Sequence, residues 1–429
     1  MRVLIVNTSA RTGGAAMAAN RLMEALNNNG VKAKMLVRDK DTQQLTVVQH
    51  PQQHRLRWAF LWERIVIWTR LHFRRKRLFE IDIANSGADI TQLPEFQEAN
   101  VIHLHWVNQG MLSLKQIRKI LDSGKRVVWT MHDMWPATAI CHYTRDCDHY
   151  MSACGHCPLL PGNGGNNDLA AKTWRRKQQM LDGRHISFVT CSQWLKGKAE
   201  KSALLQGQKI TSIPNPIDTR VFHPIDKKQA RRQAGLPEGG RIILFVSQRV
   251  TDERKGISFL VDAIRLLVNE HPDYQQTASI AILGGHAEEV TNHLALPVHA
   301  LGYVNDPQRI VSVYNAADVF VLPSLEDNLP NTLMESMACG VPCVGFDVGG
   351  IPEMITHHET GYVAHFRDAD DLATGLHWTL SEADETALSK ACLHKVAEYY
   401  SQQSVAKRYV EVYEGTAKMQ QTTRQTTDK

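Results

Sequence analysis

Two acids and two cations in the second half of the chain could together grip a ligand that carries both hydroxyls and phosphates. Asp327 and Glu335 stand eight positions apart in Ser324-Leu-Glu-Asp-Asn-Leu-Pro-Asn-Thr-Leu-Met-Glu335. With the first in a loop and the second two turns along a helix, each can accept hydrogen bonds from a different set of hydroxyls. Upstream, Arg249 follows an apolar run and Lys255 precedes Gly256 where a helical pattern opens. A planar guanidinium and a point-charge ammonium suit a diphosphate, although loop cations are commonly no more than solvated surface groups. Near the start, Gly13 and Gly14 separate a strand pattern from a helical one. A glycine pair there either lets backbone approach an anion at a helix N-terminus or simply makes a tight turn.

Histidines and cysteines mark the first half. His103 and His105 alternate onto one face of a strand and read as structural; His132-Asp133 ends the next strand. Cys141, Cys147, Cys154 and Cys157 include one C-x2-C pair. Four thiolates so close could close a tetrahedral zinc site that pins an irregular loop, with reduced thiols or a disulfide as the alternative. Asp39-Lys-Asp41 resembles a metal-holding Asp-x-Asp but lies in a polar loop, and Asp368 precedes a helical pattern that it would cap.

Residues 54–79 are the strongest charge cluster. Arg55, Arg57, Arg64, Arg70, Arg74, Arg75, Lys76 and Arg77 stand against Glu63 alone, with Trp58, Phe60, Trp62, Trp68 and Phe73 interleaved. The combination suits an anionic bilayer surface, the alternative being a helix whose aromatics pack on its own domain.

These residues need a scaffold, and the chain supplies one twice. Strand-like runs at Arg2–Asn7, Lys32–Val37, Val101–Trp106, Val127–His132, Ile186–Cys191 and Ile210–Ile213 alternate with helical patterns. A second series follows at Ile242–Ser247, Ser279–Leu283, His299–Val304, Val319–Pro323, Cys343–Phe346 and Gly361–Val363. Two α/β domains with parallel sheets are expected, and the chemistry should lie beyond the carboxyl ends of the strands. Their bounds are 1–216 and 217–397, with a turn-rich hinge at Pro214–Asp218; residues 398–429 form a helix, packing back on the first domain, and a polar tail. The composition, 43% hydrophobic and 22% charged, is that of a folded protein, and the net charge of +5 is mild. The apolar stretch at the N-terminus is too short for a signal peptide, so the expectation is a cytoplasmic protein, at most peripheral on the inner face of the membrane.

Between Ser247 and Glu353 the sequence resembles the retaining glycosyltransferases of family 4, and the likeness extends over nearly the whole chain. It is carried by the segments above, by Tyr314-Asn-Ala-Ala-Asp318-Val-Phe-Val-Leu-Pro-Ser324 and by Asp347-Val-Gly349-Gly-Ile-Pro352-Glu353. The resemblance implies the GT-B fold, two Rossmann-like domains facing each other across a cleft. It implies that Arg249 and Lys255 hold the donor pyrophosphate, that Gly13 and Gly14 approach the same phosphates, and that Glu335 holds the ribose. Asp327 would take hydroxyls of the transferred sugar, with Asn328, Leu329 and Asn331 in the loop that presents backbone to it. The family pattern is Glu-x7-Glu, so Asp327 rather than Glu326 is in step, and Pro330 replaces a common glycine. His132 matches a histidine near the donor sugar. No catalytic metal is implied, and the four cysteines resemble a segment of colanic-acid-type members.

The expected function is therefore transfer of a sugar from a nucleotide-diphosphate sugar to a saccharide. A lipid-linked acceptor in capsule, exopolysaccharide or O-antigen assembly is implied. Alternatives are a sugar-nucleotide epimerase of the same fold and, from another class, a zinc-bearing nucleic-acid-binding protein; nucleic acid is not the expected partner because that reading leaves the second half without a role.

Overall fold

The structure is a computed structural model that describes residues 1–427, with side chains described up to Gly415; the end of the polar tail lies outside them. The chain forms two compact units, Met1–Pro216 with Val405–Lys429, and Ile217–Ser404.

The first unit is built on seven parallel strands: β1 (Arg2–Ser9), β2 (Lys32–Asp39), β3 (Val47–Gln49), β4 (Val101–Leu104), β5 (Arg126–Met131), β6 (Ser187–Thr190) and β7 (Lys209–Ser212). Their order is β3-β2-β1-β4-β5-β6-β7. Both faces are covered, because side chains alternate across the pleat. Leu4 and Val6 of β1 enter one core and Val3 and Ile5 the other. Into the second core the C-terminal helix (Gln402–Thr427) sends Val405, Ala406, Tyr409, Val412 and Tyr413, a stripe at helical spacing.

The second unit repeats the plan with β8 (Arg241–Arg249), β9 (Ala278–Gly285), β10 (Val298–Gly302), β11 (Val319–Leu322), β12 (Cys343–Phe346) and β13 (Gly361–Ala364). All are parallel, in the order β10-β9-β8-β11-β12-β13. This is the doubly wound arrangement, in which the chain works outward from one central strand and then restarts on its other side. Asp368 caps the Ala369–His377 helix, accepting from the amides of Asp370 at 3.0 Å and Asp371 at 3.1 Å.

Two differences from the sequence reading have local causes. β3 has only three residues at a sheet edge, too few for a period to show. β4 stops at Leu104, not Trp106; past it the bonds to β1 become irregular, with the Thr8 amide donating to the Trp106 carbonyl at 2.9 Å and the Trp106 amide to the Asn7 side chain at 2.9 Å.

The helix Gln53–Arg70 is held against the turn at Gly110. This glycine has φ 80°, and a Cβ there would stand 2.4 Å from the Phe60 nitrogen. Gly110→Ala is therefore expected to destabilise the fold by more than about 1 kcal/mol in urea denaturation.

Candidate active site at the carboxyl ends of the strands

In the second unit β8 and β11 are neighbours from which the chain departs in opposite directions. The crevice beyond their carboxyl ends is where open α/β sheets bind ligands. The loop after β8 brings Lys255 there and the loop after β11 brings Asp327. Lys255 Nζ lies 2.5 Å from Asp327 Oδ2, and Ser324 Oγ donates to the same oxygen at 3.3 Å. Arg254 Nη1 is 3.8 Å from it and donates to the Glu326 carbonyl at 3.0 Å. Burial of Asp327 would raise its carboxyl pKa, but the charges of Lys255 and Arg254 outweigh burial and hold it below the usual range.

Glycines set this contact. Gly256, at φ 69°, leaves room where a Cβ would fall 1.8 Å from the Pro323 carbonyl oxygen, so the Lys255 turn lies directly on the end of β11. Gly349, at φ 62°, does the same against the Asp327 carbonyl, to which Gly350 donates at 3.2 Å. Asn328 and Leu329 are buried beside Asp327, and Asn331 begins the helix Asn331–Ala338. Glu335 follows on that helix and accepts from the Tyr314 hydroxyl at 2.7 Å. Arg249 ends β8, exposed, with its Nε donating to Thr251 Oγ1 at 3.0 Å, and makes no ion pair among the described residues.

The corresponding switch point of the first unit lies between β1 and β4. Gly13, at φ 90°, caps the helix Gly14–Asn28, and a Cβ built on it meets no atom within 4 Å. His132 follows β5. Its Nε2 lies 2.9 Å from His105 Nδ1 and its Nδ1 3.5 Å from Cys191 Sγ. Burial pushes His103 down to about 3 and His132 to about 4, and His105 well below its usual value, so all three are neutral at pH 7. His105 Nε2 is buried without a hydrogen-bond partner. A buried orphan N–H costs more than an orphan lone pair, so the His105 proton belongs on Nδ1, donated to His132. His103, under the C-terminal helix, bridges Thr130 Oγ1 at 2.7 Å and Tyr413 Oη at 2.8 Å.

Next to His132, Asp133 opens a buried ionic chain. His142 Nδ1 is 2.7 Å from Asp133 Oδ2 and its Nε2 2.6 Å from Asp82 Oδ2; Asp82 in turn pairs with Arg64. Burial would lower the His142 pKa, but the two carboxylates outweigh it and push it up to about 10.

Residues 12–221 match the family described as Glycosyltransferase Family 4, and residues 240–382 the family described as Glycosyl transferases group 1. The chain is built of these two glycosyltransferase domains. An uncharacterised glycosyltransferase of Methanocaldococcus jannaschii is 26% identical over 353 residues, 78% of this chain and 89% of the relative. The matches cover only about half the length of several other curated relatives. Sucrose-phosphate synthase from Thermosynechococcus elongatus superposes with a TM-score of 0.64 at 19% identity, covering 96% of this chain and 98% of that one. The Anabaena protein HepE in complex with UDP-glucose gives 0.60 at 14% identity, covering 97% and 100%. The fold is GT-B.

The group 1 domain thus holds Arg249, Lys255, Asp327 and Glu335, and the family 4 domain holds Gly13, Gly14 and His132. Sequence reasoning missed Arg254, Tyr314 and the Asp82–His142–Asp133 chain of these glycosyltransferase domains. Tyr314 stands in a quoted motif, but nothing in its spacing points to Glu335; Asp82 and His142 are 60 positions apart. The family 4 domain also corrects one expectation. Asp39 ends strand β2 rather than lying in a loop, and it pairs with Arg38 at 2.6 Å. Cys141, Cys154 and Cys157 of the cysteine loop lie close enough for neighbouring thiols to act on one another's charge. Among the described residues, the group of three or more ligand atoms within 4.8 Å of one another is the exposed His286, Glu288 and Glu289. Lys177 is buried beside the cysteines, its ammonium 3.3 Å from the centre of the Trp135 ring and donating to the carbonyls of Trp135 at 2.5 Å and Thr138 at 2.9 Å. Burial raises the thiols of Cys141 and Cys154 to about 12 and of Cys157 to about 11, and lowers Lys177 to about 7.

Metal analysis of protein purified without chelator tests the zinc expectation for Cys141, Cys147, Cys154 and Cys157: one equivalent per chain is expected, and none would reject it. His142→Asn should cost about 3–5 kcal/mol at pH 7, since it leaves the buried Asp133 without a cation and Asp82 with Arg64 alone. The pKa of His142 is raised on folding, so its contribution is complete below its ordinary value of 6.5 and is lost as the pH rises through about 10. The difference in stability between wild type and variant should therefore be largest at about pH 6.5, be smaller at neutrality and vanish as the pH rises through about 10.

Proposed function

We propose that the chain is a retaining glycosyltransferase that moves a sugar from a nucleotide-diphosphate sugar to a saccharide acceptor. The observation that carries this reading is the contact of Lys255 with the buried Asp327 at the β8–β11 switch point. A cation and an ionised acid side by side suit a ligand that is anionic at one end and hydroxylated at the other. The UDP-glucose complex of the HepE neighbour supports a donor of that class.

In this reading Arg249 and Lys255 receive the donor diphosphate, whose charge grows as the glycosidic bond breaks. The open turn at Gly13 and Gly14 offers helix N–H groups to the same phosphates. Asp327 accepts from hydroxyls of the transferred sugar, with Asn328, Leu329 and Asn331 shaping the loop around it, and Glu335 accepts from the ribose. His132, neutral and with both ring nitrogens engaged, contributes a wall and a dipole rather than a base. The leaving phosphate then takes the acceptor proton on the same face, and the two cations supply the charge for which other enzymes use a divalent ion. The acceptor is a lipid-linked saccharide of capsule, exopolysaccharide or O-antigen assembly, met at the inner face of the membrane. No helix among the described residues is long and apolar enough to cross a bilayer.

A panel of nucleotide sugars, followed for donor hydrolysis and for transfer to added saccharides, tests the class; release of an altered sugar nucleotide without acceptor would show an epimerase. Arg249→Ala and Lys255→Ala should each lower transfer at least about ten-fold. Asp327→Asn should cost roughly 1.5–3 kcal/mol in transition-state binding and Glu326→Gln little, whereas Glu335→Gln should mainly raise the donor KM. A larger defect in Glu326→Gln than in Asp327→Asn would transfer the sugar contact to Glu326.

A further inference from the structure

The helix Gln53–Arg70 is charged where it is buried and apolar where it meets water. Glu63 and Arg64 lie inside with Leu56, Ala59 and Ile67, while Trp58, Leu61, Trp62, Ile65 and Trp68 are exposed, Trp58 by 71% and Trp62 by 57%. At about 100° per residue the five exposed apolar side chains share an arc of roughly 120°, one continuous stripe. Arg57 borders one edge and Arg55 the other, both exposed. The stripe extends past the helix end, where exposed Phe73 packs edge-on against Trp68 with ring centres 5.0 Å apart. Arg74, Arg75 and Lys76 follow, all exposed.

The helix cannot roll to hide this face. Glu63 Oε1 accepts from the amides of Ile83 at 2.9 Å and Ala84 at 2.7 Å. Arg64 pairs with Asp82 and donates to the carbonyls of Leu78 at 2.6 Å and Ile81 at 3.3 Å. Rolling would strand a buried carboxylate and a buried guanidinium. Arg64 and Arg77, which donates to the Pro158 carbonyl at 2.7 Å, therefore do not belong with the free surface cations.

We propose that this face docks on an anionic lipid bilayer. The tryptophans and Phe73 would enter the boundary between headgroups and acyl chains, and Arg55, Arg57 and Arg74–Lys76 would meet lipid phosphates. The charge pattern selects this occupant. Residues 54–79 contain no acid except the buried Glu63, so a second copy laid on the same face would set arginine against arginine. The inference deepens the transferase reading by giving a lipid-linked acceptor a surface on which to be met, but the docking itself does not depend on that chemistry.

The test is sedimentation of the full chain with vesicles of equal parts phosphatidylglycerol and phosphatidylcholine, compared with phosphatidylcholine alone. Binding is expected to the anionic vesicles and to be lost at high salt. Trp58→Ser with Trp62→Ser should lower partitioning at least ten-fold, and Arg74→Gln, Arg75→Gln and Lys76→Gln together roughly a hundred-fold. Donor hydrolysis without vesicles should be unchanged in both variants, because every substituted side chain is exposed and lies outside the donor site. Equal binding to neutral vesicles, or no vesicle binding with dimers abolished by the same tryptophan changes, would overturn the proposal. Wild-type protein that docks but hydrolyses no donor would instead sink the transferase reading and leave the docking surface standing.

Discussion

Keeping one buried carboxylate ionised is the constraint around which the second unit is arranged. Asp327 is nearly inaccessible to water, so its charge depends on the ammonium of Lys255, with Arg254 behind it. Neither cation could reach it if the turn after β8 stood off from the end of β11, and only glycine at 256 allows the close approach. Gly349 brings a third loop onto the Asp327 backbone from another strand end. The loops after β8, β11 and β12 thus converge on a single oxygen and the backbone behind it, a preorganised polar site whose geometry is fixed before any ligand arrives.

The first unit solves a different problem with similar means. A parallel sheet covered on both faces has little room for charge, yet Asp133, His142, Asp82, Arg64 and Glu63 form one buried series. Each member compensates the next, so the loop after β5 and the helix Gln53–Arg70 are fixed relative to one another. The same series explains why that helix leaves its tryptophans outside: its inward face is committed to ionic contacts. On the other side of the sheet, His103 and Thr130 tie the strands to Tyr413 and Tyr409 of the C-terminal helix, with Thr130 Oγ1 3.0 Å from Tyr409 Oη.

The sequence by itself determined the two doubly wound units, because apolar runs at strand length alternating with helical patterns admit few other solutions. Twelve of the thirteen strands were legible, and β3 was not, since three edge residues carry no periodicity. The seven residues between Asp327 and Glu335 are likewise a local spacing, read directly along the chain. Tertiary structure alone decided which partners these groups have. Lys255 and Asp327 are 72 positions apart, and Asp82 and His142 are 60 apart. Sequence spacing gives no measure of such distances, because strand order and not chain order sets them. The cysteine cluster is another case: the chain order of its four thiols gives no hint of the buried Lys177 and its carbonyl partners beside them. Residues 54–79 show it again, because a pattern of aromatic and basic residues leaves open which face turns inward. The burial of Glu63 and Arg64 decided that, through contacts with Asp82, Ile83 and Ala84 that no periodicity encodes.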